Sequence, residues 1–199
     1  MPGFTYRSGT SAPYGLGTTG TLRELVHLLT HELARSSHTE HTRDQEISVP
    51  DVVLTAGYQG HTIDDFVRRL EGARVQVLID IRKRPLSRKP GFSRKSLAMH
   101  VEAQHIEYMH LGELGMPESL LERRGADNTA ILEAYTAMLS DKDEVITGLL
   151  QAVGHRLACI LCFEADERQC HRSRLADYLH SKKGVVVRPL PPLVGSKGQ

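Results

Sequence analysis

Five short apolar runs, separated by segments with helical spacing, constrain this chain more than any other feature. Val52 to Ala56, Val75 to Ile81 (broken by Gln76 and Asp80), Ile106 to Leu111, Arg156 to Phe163 and a stretch within Gly184 to Pro189 have the length and residue types of strands. Between the first two lies Ile63, Phe66, Val67 and Leu70, with Thr62 placed to cap a helix and Gly72 to end it. Further helices are expected over Ser93 to Gln104, Thr129 to Leu139, Glu144 to Val153 and Cys170 to Ser181. Strands that alternate with helices require crossover connections, which are right-handed and build a mainly parallel sheet covered on both faces. The expected fold class is therefore α/β, a three-layer sandwich with a mainly parallel sheet of about five strands. In such sheets ligands bind beyond the carboxyl ends of the strands, which sets where functional residues should be sought.

The first 50 residues read differently. Met1 to Gly20 is rich in Gly, Ser and Thr and is expected to be disordered or loosely attached. Leu22, Leu25, Val26, Leu28, Leu29 and Leu33 make an amphipathic helix over Thr21 to Ala34, and Ser36 to Pro50 is a polar linker. The expected organisation is an N-terminal arm over 1–50, one α/β domain over 51–190 and a loose tail over 191–199. His27 and His31 are four apart in the arm, a spacing that can hold a metal, but two imidazoles do not complete a site and none is expected there. Met1 to Gly20 has no basic start followed by an apolar stretch, so a secretory signal is not expected. No apolar run reaches the roughly 18 residues of a membrane span. Cys159, Cys162 and Cys170 are odd in number and close together, unlike a secreted disulfide framework. A cytoplasmic protein is expected. The formal net charge of +1 leaves the question of partners to local clusters of charge.

Four segments fall at strand ends. Gly57-Tyr58-Gln59-Gly60-His61-Thr62 leads from the first strand into a helix; it is neither a Walker sequence nor a dinucleotide fingerprint, but Gly57 and Gly60 would let an anion approach the helix N-terminus. Asp80-Ile81-Arg82 opens a loop in which seven Lys/Arg and no carboxylate occur between Arg82 and Lys95. Arg82, Arg84 and Arg88, with Ser87 and Ser93, are candidates to grip a phosphate. Asp80 is either the buried partner of Arg82 or a catalytic carboxylate. After the third strand, His110 and Glu113 are candidate ligand contacts. The fourth strand runs into Cys162-Phe163-Glu164, and a short loop leads to Cys170-His171-Arg172. Strand alternation puts Cys162 and Glu164 on one side, and Cys170 sits at a helix start, where a thiolate is favoured. This cluster reads as catalytic, as metal-binding or as structural. The seven-residue gap between the cysteines and the adjacency of Cys170 and His171 argue against a metal, and neither metal nor cofactor is expected.

These pieces in this order resemble the bacterial and archaeal family of domain of unknown function DUF488. They are Thr55-Ala56-Gly57-Tyr58 with Gly60, Asp80-Ile81-Arg82 with Pro85, Ser87 and Arg88, and Phe92-Ser93. Tyr108 with His110-Leu111 and Glu113-Leu114-Gly115 follows, then Cys162 with Glu164 and Cys170-His171-Arg172. The resemblance covers about Val52 to Pro189 and implies a Rossmann-like α/β domain with these motifs at its strand ends. It supplies no reaction. This chain is more basic at Lys83 and Arg84 than members with a small polar residue there, which favours nucleic acid as a partner.

Three functions from different classes follow. The first is a hydrolase acting on a nucleotide or nucleic acid, at a glycosidic or related bond, as in DNA repair or nucleotide processing. The basic loop would hold phosphate while Glu164, with Asp80 or Tyr58, supplies acid, base or nucleophile, and Arg82 and Arg172 balance charge. The second is a thiol enzyme using Cys170 or Cys162, with His171 beside it. The third is a non-enzymatic DNA- or RNA-binding module that stacks bases on Tyr58, Phe92 or Tyr108. All three require the basic loop and the Glu164 and Cys170 region to face one cleft.

Overall fold

A computed structural model describes residues 49–122 and 128–192. The arm and the end of the tail, at 1–48 and 193–199, lie outside the described residues, as do the arm helix and the linker up to residue 48.

The strands are β1 (Val52–Gly57), β2 (Val77–Asp80), β3 (Glu107–His110), β4 (Ala158–Cys162) and β5 (Val186–Pro189). The longer helices are α1 (Ile63–Gly72), α2 (Arg94–Glu102), α4 (Asn128–Leu139), α5 (Asp143–Val153) and α6 (His171–Lys183); a single turn, α3 (Glu118–Leu121), was not anticipated from sequence. The five strands form one all-parallel sheet in the order β3-β2-β4-β1-β5, so the architecture is Rossmann-like α/β. Among the described residues no helix is long and apolar enough to cross a membrane.

Burial explains why the strands read as they do. Every residue of β2 and β4 is buried, because helices cover both faces of the sheet centre, and these runs are accordingly apolar without alternation except for the terminal Asp80 of β2. Edge strands β3 and β5 are mostly half-exposed or exposed and carry Glu107 and Arg188. On one face Leu54, Ala56, Leu78, Cys159 and Leu161 pack with Phe66 and Leu70 of α1 and Leu97 and Val101 of α2. Strand alternation turns Val53, Ile79 and Ile160 to the other face, that of α4, α5 and α6. Thr62 caps α1 as expected, its hydroxyl accepting from Asp65 N at 3.1 Å. The observed strands stop short of several expected ends. Val75 and Gln76 precede β2, and Phe163 has left β4, because ladder pairing to the neighbouring strand ends there.

Chain direction fixes the site. Connections leaving β1 and β2 take the α1/α2 face, whereas the one leaving β4, which lies between them, takes the other. A crevice therefore opens above the carboxyl ends of these strands.

Candidate active site at the strand ends

A cavity of about 930 Å³ fills that crevice. One wall is the basic loop, through Lys83, Arg84, Ser87, Arg88 and Lys89; the opposite wall is Cys162, Phe163, Glu164 and His171; α3 and α4 close the side with Leu120 and Ile131. The separated segments thus face one cleft.

Under the basic wall lies a buried polar network. The Asp80 carboxylate is wholly enclosed and accepts from Arg82 N at 3.0 Å, Nε at 2.8 Å and Nη2 at 2.6 Å, and from the Tyr108 hydroxyl at 2.6 Å. Arg82 Nη1 donates to the Tyr58 hydroxyl at 3.0 Å and to the Phe92 carbonyl at 2.8 Å. Burial works against the guanidinium charge, but the Asp80 hydrogen bonds outweigh it and hold the Arg82 pKa above its ordinary value. Burial, reinforced by Asp80, likewise pushes the Tyr108 hydroxyl up. Of the two roles open to Asp80, the structure gives the pairing one: its lone pairs are used, and it does not line the cavity. Arg82 is correspondingly an anchor that fixes the start of the loop, and its charge is already balanced. Tyr58 forms part of the cavity floor, but its ring is buried and stacked on Phe92 at 4.4 Å, so it serves as a support.

The loop's remaining charges differ in availability. Arg84 pairs with Glu118 at 2.6 Å across an exposed rim. Lys89 turns back to the Tyr58 carbonyl and lies 5.6 Å from the Phe92 ring centroid. Lys83 and Arg88 line the cavity without an ion pair among the described residues. Ser87 accepts from Lys89 N at 3.1 Å and shapes the turn.

On the opposite wall, the 3-10 turn Glu167–Gln169 brings Cys170 back beside the end of β4. Cys162 Sγ donates to Glu164 Oε2 at 3.2 Å and lies 3.8 Å from His171 Nδ1, which is 4.0 Å from Cys170 Sγ. Cys170 precedes α6 as its cap residue. A hydrogen bond from Cys162, helped by His171, outweighs burial and pulls the Cys170 thiol down to about 6. The same bond, with burial and the Glu164 charge, pushes Cys162 well above the usual thiol range. Burial acts to raise the pKa of Glu164, but hydrogen bonding from its own backbone N–H and the Cys162 thiol, with the nearby His171, brings it below the ordinary carboxylate value. Glu164 is thus an anion at neutral pH, half-buried and open to the cavity. Cys159 points into the core on the other face, where burial pushes its thiol up to about 12.

Several residues expected to bind ligand also do structural work. The Gly57–Thr62 loop commits part of its backbone to internal contacts: the N–H groups of Tyr58 and Gln59 go to the Cys162 and Phe163 carbonyls, and that of His61 to the Tyr58 carbonyl. Gly57 is required because a Cβ there would stand 1.8 Å from the Glu164 carbonyl oxygen, and Gly60 because its φ is +84°. His110 Nε2 lies 2.9 Å from the Arg82 carbonyl, behind the loop. Glu113 is exposed and Ser93 precedes α2, both off the cavity. Arg172 is buried and clamps the β4–α6 loop through the Glu164 and Ala165 carbonyls, on the side of a second cavity of about 350 Å³. A stacking platform of Tyr58, Phe92 and Tyr108 is also absent, since the first two are buried and the third is tied to Asp80.

Sequence reasoning missed Phe163 and Leu86. Both line the cavity and are 44% and 82% exposed, which gives it an apolar rim. The signal for Phe163 was its place between Cys162 and Glu164, but alternation pointed it away; β4 ends at Cys162, so alternation no longer applies.

Fold and site define a Rossmann-like α/β domain with a strand-end cavity that sets a carboxylate, two thiols and an imidazole against a basic loop. The chain belongs to the family of the domain of unknown function DUF488, whose model matches residues 62–179, more than half of the chain. That match leaves β1 and β5 outside it. No curated protein and no solved structure matches the chain.

Proposed function

We propose that this protein is a hydrolase that takes a nucleotide or nucleic-acid substrate into the strand-end cavity and acts at a glycosidic or related bond. One observation carries the reading: Glu164, an anion at neutral pH, faces Lys83 and Arg88 across a single cavity. The cavity lies within the range of roughly 300–1,000 Å³ typical of small-molecule sites. The two cations supply phosphate contacts. The Phe163 ring offers an apolar face for a sugar or base, and Glu164 stands where it can activate water or stabilise positive charge developing at a sugar carbon. DNA repair and nucleotide processing are the settings that fit such chemistry.

The test is base release from a panel of nucleoside phosphates and short oligonucleotides, with Glu164→Gln and Arg88→Ala compared against the parent. Glu164→Gln is expected to keep ligand affinity and to lose turnover by about 100-fold or more, the scale of a general acid or base. Arg88→Ala is expected to weaken binding and to flatten its salt dependence. Full turnover in Glu164→Gln would end this reading.

A thiol enzyme using Cys170 or Cys162 is the second reading, favoured by the two sulfurs lying on either side of the His171 ring nitrogen at 4.0 and 3.8 Å. Cys170→Ser or Cys162→Ser would then abolish a reaction that Glu164→Gln merely slows, and a covalent adduct on one of the two cysteines would be seen by mass spectrometry.

A further inference from the structure

We propose that Cys162, Cys170 and His171 form a binding site for a thiophilic divalent cation, zinc foremost, with its fourth position open to the cavity beside Glu164. The inference deepens the hydrolase reading and rests on the same cavity. The sequence spacing argued against a metal, but the fold removes that objection. Folding the intervening residues through the Glu167–Gln169 turn places one ligand atom from each side chain within 4.8 Å of the other two. Cys162 Sγ and Cys170 Sγ stand 3.8 and 4.0 Å from His171 Nδ1. Bond lengths of about 2.3 Å to sulfur and 2.0–2.1 Å to nitrogen put the corners of a tetrahedral zinc site roughly 3.5–3.8 Å apart, so both sulfur-to-Nδ1 separations need only a slight contraction, and the two sulfurs, within 4.8 Å, close on the ion by side-chain rotation.

Burial supplies a second argument. The three residues are only 4%, 1% and 7% exposed. Among the described residues, the polar neighbours of the His171 ring nitrogens are sulfur atoms at 3.8 to 4.0 Å, and its ring packs edge-on against Tyr135. A buried imidazole is normally satisfied by an oxygen or nitrogen partner, and this one has sulfur instead. A divalent cation would satisfy the imidazole and both thiolates at once. Two thiolates and a neutral imidazole around a dication carry no net charge, as a buried site demands. Sulfur and imidazole donors select zinc over magnesium, calcium or manganese.

The site is of the open kind. Three protein ligands leave one corner, and because Cys162, His171 and Glu164 line the cavity while Cys170 lies behind them, that corner faces the cavity. Sites with three protein ligands and an open position are catalytic in type, where the ion acidifies a bound water. Glu164, whose Oε2 is 3.2 Å from Cys162 Sγ, is placed to accept the proton of such a water, leaving a metal-bound hydroxide and a neutral carboxylic acid.

The test uses the full chain, purified under reducing conditions, with zinc content measured by elemental analysis and the metal-stripped protein titrated with cobalt(II). One ion per chain is expected, with a near-ultraviolet sulfur-to-cobalt charge-transfer band and visible bands of tetrahedral intensity. Cys170→Ser should cut the charge-transfer band by about half, as one of two thiolates is lost. Cys159→Ala should leave it intact. A folded parent protein that holds no zinc and gives no charge-transfer band would overturn the proposal, as would a band insensitive to Cys170→Ser. The two readings fail separately. Cobalt bands together with full turnover in Glu164→Gln would sink the hydrolase reading alone. Lost turnover in that variant without any cobalt–thiolate band would sink the metal site alone.

Discussion

Replacing Asp80 with Asn keeps the shape of the side chain and removes its charge. In the parent the carboxylate takes hydrogen bonds from three Arg82 nitrogens and the Tyr108 hydroxyl, all at 2.6 to 3.0 Å, and no solvent reaches it. The amide offers one acceptor oxygen, and its NH₂ would confront donors from the guanidinium or the phenol. It also leaves the Arg82 charge enclosed without a counter-charge. Breaking a buried pair by removing one partner costs about 3–5 kcal/mol, a large share of the roughly 5–15 kcal/mol that holds a domain folded. With a urea dependence of about 2 kcal/mol per molar, the unfolding midpoint should fall by roughly 2 M. Equilibrium urea unfolding followed by circular dichroism reads this directly. An apolar pair, Asp80→Leu with Arg82→Met, should recover much of the loss, because it removes both desolvated charges. A midpoint within about 0.5 M of the parent for Asp80→Asn would refute the reasoning. If that stable variant also lacked activity, Asp80 would have to be returned to the chemistry.

Two further outcomes follow from particular contacts. Gly57→Ala drives a methyl group into the Glu164 carbonyl and must part the Tyr58–Cys162 and Gln59–Phe163 hydrogen bonds; thermal unfolding should register a loss of about 1–3 kcal/mol, together with reduced activity as Glu164 shifts, and an unchanged melting temperature would contradict the packing. Burial, then the Arg69 and Lys89 charges, lowers the pKa of His61, whose Nε2 accepts from Arg69 Nη1 at 2.7 Å. A histidine with a depressed folded pKa contributes stability that is intact above the unfolded value of about 6.5 and lost as pH falls below it. The His61 ring signals in NMR should therefore titrate below 6.5 and move up in Arg69→Met; a midpoint at or above 6.5 in the parent would count against this geometry.

Apolar runs and helical spacing determined the α/β class, the parallel sheet and the position of the site at the strand ends, because strand burial and crossover handedness act locally and leave a mark on composition. The basic loop and the Cys162 to Arg172 stretch were visible for the same reason. What each residue does there was decided by contacts between segments far apart in the chain. Asp80 became an anchor because Tyr108 and Arg82 fill its coordination. The Gly57–Thr62 loop ties the N–H groups of Tyr58 and Gln59 to the Cys162 and Phe163 carbonyls at and just after the end of β4. Arg172 turned to clamp a loop. Cys170 and His171 reached Cys162 only through a turn whose closure depends on Gly57 letting β1 approach the Glu164 backbone. Spacing along a chain measures reach, whereas a hydrogen bond or a ligand shell depends on distances in space that only the packed sheet fixes.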